Sequence, residues 1–147
     1  MDNLSPIEIL LVEDNPADAR LITEAFSEFA DKSILNVVKD GSEAMDYVYK
    51  KGKYTNKNFP SIILLDLNLP KVNGREILKI IKEDDKLKVI PVIVLTTSKD
   101  ENDISSSYRN HANAYITKPV DFDEFKSLIR SFQDFWFNRT TLPKIND

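Results

Sequence analysis

Residues 61–66 read SIILLD, and LNLP follows at 67–70. Ile62, Ile63, Leu64 and Leu65 form an apolar run with no alternation. A strand with one face in water alternates polar and apolar residues. An unbroken run suits a strand buried on both faces of a parallel sheet. This run then stops on a carboxylate, Asp66. An ionised carboxylate at the end of a buried strand is costly unless it is paired or bound to a metal. Asp66 is therefore expected to be a residue that the protein uses.

Four further runs resemble the first: IEILLV (7–12), ILNVV (34–38), PVIVLT (91–96) and NAYIT (113–117). Helical periodicity separates them. Ile22, Ala25, Phe26 and Phe29 fall at i, i+3, i+4 and i+7, with Asn15 placed as N-cap and Pro16 at the first helical position. Ala44, Tyr47 and Val48 share a face of a second helix, and Ile77, Leu78 and Ile81 a face of a third. The fourth, ENDISSSYRN (101–110), offers only Ile104 and Tyr108. The fifth runs from Phe122 to about Trp136 and is the most amphipathic. Residues 1–138 read as one domain and 139–147, RTTLPKIND, as a tail. Strand and helix alternating five times predict an α/β domain, a doubly wound five-stranded parallel sheet with five helices. In such sheets ligands sit beyond the carboxyl ends of the strands.

Composition narrows the function. The 147 residues suffice for one core. The net charge of −4 argues against direct nucleic-acid binding, which needs a basic surface. The chain has no cysteine, hence no disulfide or thiolate metal site. No apolar run approaches the roughly 20 residues of a membrane span. The start, MDNLSPIE, lacks the features of a signal peptide. A cytoplasmic protein without membrane contact is expected.

The strand ends supply the chemistry. Glu13 and Asp14 follow the first run, Asp66 the third, Thr96 and Thr97 close the fourth, and Lys118 and Pro119 follow the fifth. If these strands are neighbours, three carboxylates meet one ammonium at one sheet edge. Clustered carboxylates repel one another, and a hard cation such as magnesium (Mg2+) removes that cost. Asp14 and Asp66 are placed as direct ligands and Glu13 as a ligand through water. A carboxylate beside such a cation can accept a phosphoryl group by nucleophilic attack.

This ordered set resembles the receiver domain of two-component response regulators over residues 7–136. The matching residues are Glu13-Asp14, Asp66 in LLDLNLP, Thr96 in VIVLTTS, Tyr115 and Lys118-Pro119. The resemblance implies a flavodoxin-like strand order, 2-1-3-4-5. It implies that Asp66 is the phosphoacceptor for a sensor histidine kinase. It implies that Asp14, Asp66 and the backbone carbonyl of Asn68 bind magnesium. Thr96 and Tyr115 are implied as a switch pair, Lys118 as a contact to the phosphoryl group, and the Lys118–Pro119 bond as cis. The segments LVEDNPADARL, LLDLNLPKVNGREIL, IPVIVLTTS and FWFNRTTLP are similar to single-domain regulators paired with bacterial and cyanobacterial phytochrome kinases. Thr97 departs from the family pattern, where a small residue such as alanine is common; its branched side chain narrows access to the phosphoryl group.

Bland readings accompany these. His111, the only histidine, reads as a solvated surface residue, and Gly74 as a helix entry rather than a phosphate cradle. In the fifth helix Phe122, Phe125, Ile129, Phe132 and Trp136 form a stripe that Leu128 and Phe135 widen. Either Leu128, Phe135 and Phe137 pack under the tail near Leu142, or Phe132, Phe135 and Trp136 form a homodimer or partner surface; the second is the expectation. The output surface implied by the resemblance is helix 4, strand 5 and helix 5. Other functions stay in view. A phosphatase similar to the haloacid dehalogenases needs a second acid where Asn68 stands. A flavin carrier needs a phosphate loop where EDNPAD stands. A phosphorelay intermediate and a pseudo-receiver binding module share the fold.

Overall fold

The computed structural model describes residues 6–29 and 32–145. The side chain of Phe29, expected on the first helix stripe, lies outside the described residues. Five strands, β1 (Ile7–Val12), β2 (Ser33–Val38), β3 (Ile62–Leu65), β4 (Val92–Thr96) and β5 (Ala114–Thr117), alternate with five helices. The helices are α1 (Pro16–Phe26), α2 (Gly41–Val48), α3 (Gly74–Glu83), α4 (Glu101–Arg109) and α5 (Phe122–Gln133). All neighbouring strands are parallel, in the order β2-β1-β3-β4-β5.

The unbroken apolar runs have a direct explanation. Alternate residues of each central strand enter different cores. Leu10, Val12, Ile63, Leu65, Val92 and Val94 face α2 and α3 with Ala44, Tyr47, Val48, Ile77, Leu78 and Ile81. Ile9, Leu11, Ile62, Leu64, Ile93 and Leu95 face α1 and α5 with Ile22, Phe26, Phe125, Ile129 and Phe132. Each buried aliphatic side chain contributes about 1.5–3 kcal/mol, and neither face of these strands can spare polar residues.

Each helix begins on an Asn or Asp whose side chain accepts a backbone N–H bond. The caps are Asn15, Asp40, Asn73, Asp100 and Asp121. These acceptors satisfy amides that no helical carbonyl can reach. Helix α4 is the outlier: Ser107 is its only buried residue, and Tyr108 is exposed. Its polar composition therefore reflects weak attachment to the core.

Helix α5 corrects one expectation. Phe132 is only 6% exposed and packs edge-to-face on Phe26 of α1, ring centroids 5.9 Å apart. It belongs to the core and cannot be part of a partner surface. Phe122, expected on the buried stripe, is 58% exposed. Beyond Gln133 the chain continues as a π-helical segment, Asp134–Arg139. Leu128, Trp136, Phe137 and Leu142 pack against the α1–α5 core. Phe135 is 53% exposed and leans edge-on against Trp136. Farther along, Ile145 packs against the core under α2 and α3.

Candidate functional site

The sheet register delivers the predicted residues to one edge. The Glu13 amide donates to the Val38 carbonyl at 3.0 Å, and the Asp66 amide to the Val12 carbonyl at 3.1 Å. The Lys118 amide donates to the Thr96 carbonyl at 2.8 Å. The ends of β1, β3, β4 and β5 are thereby held side by side. The start of α3 also reaches this edge. A Cβ on Gly74 would stand 2.2 Å from the Asp66 carbonyl oxygen, so only glycine allows the helix so near.

Lys118 is the centre of the cluster and is 6% exposed. Its Nζ lies 2.6 Å from Glu13 Oε1, 2.9 Å from Asp18 Oδ2 and 3.0 Å from Asp66 Oδ2. An ammonium has three donors, and each finds a carboxylate. Burial works against this charge, but hydrogen bonds to Glu13 and Asp18 and the charges of Glu13 and Asp66 raise its pKa above the usual lysine value. Burial pushes the Glu13 carboxyl up to about 7, against the pull of Lys118 and with the help of the Asp66 charge. Glu13, expected as a ligand through water, is buried in direct contact with Lys118, its other oxygen accepting from the Asn15 amide at 3.2 Å.

Asp66 is 7% exposed. Its Oδ2 accepts from Lys118, and its Oδ1 accepts from the Asn68 amide at 3.2 Å. Each oxygen keeps lone-pair capacity for a further partner. Carboxylate oxygens of Glu13, Asp14 and Asp66 all lie within 4.8 Å of one another, with Asp14 exposed. Counting Asp18, four carboxylates gather at this edge, and three of them, Glu13, Asp18 and Asp66, contact the one ammonium. This excess of oxygen ligands and negative charge fits a hard divalent cation.

The Lys118–Pro119 bond is trans, since the described residues contain no cis peptide. This corrects the family expectation. Trans is the lower-energy form for X–Pro bonds by about 0.5–1 kcal/mol, and Lys118 reaches Asp66 from it.

Thr96 is fully buried, and its Oγ1 accepts weakly from the Ser98 amide at 3.5 Å. Thr97 is exposed. Tyr115 donates its hydroxyl to the Ser98 carbonyl at 2.9 Å, and its amide donates to the Tyr108 hydroxyl at 3.1 Å. Ser98 in turn donates its hydroxyl to Asp103 Oδ2 at 2.6 Å. Arg75 holds the same carboxylate with both arms, Nε to Oδ1 and Nη2 to Oδ2, each at 2.8 Å.

Sequence reasoning placed Asp66, Asp14, Glu13, Thr96, Tyr115 and Lys118 but missed Asp18, Arg75, Ser98 and Asp103. A signal existed for two of them. Asp18 lies one turn beyond the Glu13-Asp14 pair, in the first turn of a helix that starts at the site. Arg75 lies in the first turn of α3, where the helix dipole disfavours a cation, so a carboxylate partner is needed. His111 is exposed after α4, as read. Among the described residues no helix is long and apolar enough to cross a membrane.

A family model for the response regulator receiver domain matches residues 9–130. Response regulator Rcp1 of Synechocystis sp. is 44% identical over 138 residues, covering 94% of this chain and 94% of its own. The crystal structure of the phosphorylated cyanobacterial phytochrome response regulator RcpA superposes with a TM-score of 0.92 at 46% identity, covering 95% of this chain and 100% of that one. The Mn(2+)-bound form of Rcp1 gives 0.90 at 43% identity, covering 94% and 99%.

Proposed function

The chain belongs to the response regulator receiver family, and from that premise we propose that Asp66 is its phosphoacceptor, served by a sensor histidine kinase and magnesium. The observation that carries this reading is the contact of buried Asp66 with Lys118 inside the Glu13–Asp14–Asp66 cluster. Asp66 attacks the phosphorus of a phosphohistidine. The new O–P bond forms as the P–N bond breaks, and the imidazole leaves with a proton taken from solvent. Asp14, Asp66 and the Asn68 carbonyl would hold a divalent cation, which would supply neutralising charge for the phosphoryl oxygens. Lys118 exchanges part of its contact with Asp66 for a phosphoryl oxygen. Glu13 and Asp18 keep the ammonium at that point. Thr96 offers its hydroxyl, which has only one weak amide neighbour to release.

Phosphorylation adds roughly two negative charges at this edge. Thr96 moves toward them, Tyr115 occupies the space behind it, and the face made by α4, β5 and α5 changes. The kinase partner is of phytochrome type, a reading supported by the similarity to RcpA, which is a phytochrome response regulator. A homodimer forms through the π-helical segment that follows α5, using Phe135 and the partly buried Trp136. The protein acts in the cytoplasm without nucleic acid or membrane as direct partner.

The test is transfer of labelled phosphate from a phosphorylated phytochrome-type histidine kinase. Label should reach the wild type and not Asp66→Asn. Equal labelling of both proteins contradicts the assignment of Asp66. Absence of label in both contradicts the kinase class.

A further inference from the structure

Beyond the switch pair itself, the region around Thr96 contains a second ion-paired assembly. Asn73 caps α3, and Gly74 brings that helix against the Asp66 carbonyl. Arg75 follows directly and grips Asp103 of α4 with two parallel bonds, while its Nη1 also donates to Asn73 Oδ1 at 3.2 Å. The hydrogen bond to Asp103 raises the guanidinium pKa, against the effect of burial and with the help of that carboxylate's charge. Asp103 also receives the Ser98 hydroxyl. Ser98 offers its carbonyl to Tyr115 and its amide to Thr96. The start of α3, which follows the phosphoacceptor in the chain, and the start of α4, which follows the switch threonine, are thus tied through two side chains, Arg75 and Asp103.

We propose that Arg75 and Asp103 are positioning residues for phosphoryl transfer, acting through Ser98 to hold Tyr115 in its docked position and Thr96 beside the phosphoacceptor. The inference rests on the reading of Asp66 as the phosphoacceptor. The geometry favours this role over a merely structural one. Helix α4 contributes only Ser107 to the interior, so apolar packing does little to fix its place. A bidentate arginine–carboxylate pair fixes orientation as well as distance. The Asp103 carboxylate is also the acceptor for the Ser98 hydroxyl. Without the guanidinium, that carboxylate is free to turn toward solvent. Ser98 then loses its anchor, and the Tyr115 hydroxyl loses a fixed acceptor.

The experiment uses the full chain with a single 3-fluorotyrosine at position 115, in wild type, Arg75→Ala, Arg75→Lys, Ser98→Ala and the double variant Arg75→Ala/Ser98→Ala. Fluorine NMR is recorded without any phosphodonor. Phosphorylation rates are then measured by intact mass with magnesium and acetyl phosphate. Arg75→Ala should move the fluorine resonance toward that of free fluorotyrosine and slow phosphorylation about fivefold, the low end for coupled sites. Ser98→Ala should do the same while leaving the ion pair in place. The double variant should go no further than either single change, because both cut one chain of contacts. Arg75→Lys, with charge but no fork, should fall between. An unmoved resonance in Arg75→Ala, or fully additive effects in the double variant, overturns the proposal. Failure of the Asp66 reading looks different: wild type then gains no phosphoryl mass, which overturns the role in transfer even if the resonance moves.

Discussion

Lys118 and Arg75 both tie the site together with ion pairs, yet they do so under different physical conditions. Lys118 is buried and meets three carboxylates. Arg75 has a side chain 38% exposed and meets one. In the buried cluster every charge depends on every other, because water cannot replace a lost partner. In the outer pair water can, and such pairs contribute little to stability. The difference teaches where each residue acts. Lys118 makes the acidic cluster possible. Arg75 chooses one arrangement among several that the fold permits.

Replacing Lys118 with Met should break this comparison most visibly. Glu13 and Asp66 would be left buried without a cation, and stability in metal-free buffer should fall by about 3 kcal/mol. Urea unfolding measures this, and magnesium should recover part of the loss by binding the folded state. A loss no greater than that of Arg75→Ala would erase the distinction between the two clusters.

Gly74→Ala comes next. The new methyl must displace the Asp66 and Leu67 backbone, at a cost of roughly 2 kcal/mol. Because it shifts Asp66 itself, phosphorylation should slow more than in Arg75→Ala. Thermal unfolding and acetyl phosphate rates check the two parts separately.

Arg75→Ala should change stability by less than about 1 kcal/mol after discounting for solvent screening. Its effect belongs to Tyr115 and to rate. A stability loss comparable to that of Lys118→Met would show the outer pair to be part of the folding core.

Titration sharpens the contrast by sign. Glu13 has a folded pKa of about 7, above its unfolded value of 4.5. Folding therefore binds a proton there, and this group makes metal-free protein less stable as pH rises from about 4.5 to 7. Asp103 is lowered, chiefly by its hydrogen bond to Arg75, from 3.8. Its contribution is present above pH 3.8 and is lost on acidification below it. Urea midpoints across this range, for wild type and Glu13→Gln, test the first sign. Magnesium should flatten the slope, since a nearby cation favours the ionised carboxyl. A Glu13→Gln variant with the wild-type slope would assign the effect elsewhere.

The legible part of the molecule follows the same division. The buried strands announced themselves because residues such as Ile62 and Ile63 serve opposite cores, leaving an unbroken apolar run. Residues at the ends of those runs, Asp66 and Lys118 among them, inherited their positions from the sheet. Asp18, Ser98 and Asp103 did not, because helix packing and a loop path decide which way they face. The stripe on α5 misled for a related reason. Periodicity shows that an arc is apolar, but not which edge of a wide arc meets the core. Phe132 went inward to Phe26, while the π-helical segment after Gln133 left Phe135 outside. A cis Lys118–Pro119 bond rests on family resemblance alone, and nothing in the residues themselves requires it.

The role of Asp66 is tested most directly by the intact mass of the protein after incubation with magnesium and acetyl phosphate. It predicts one phosphoryl increment in wild type, none in Asp66→Asn, and none in wild type when a chelator replaces magnesium. An increment that persists in Asp66→Asn, or that needs no divalent cation, would contradict it.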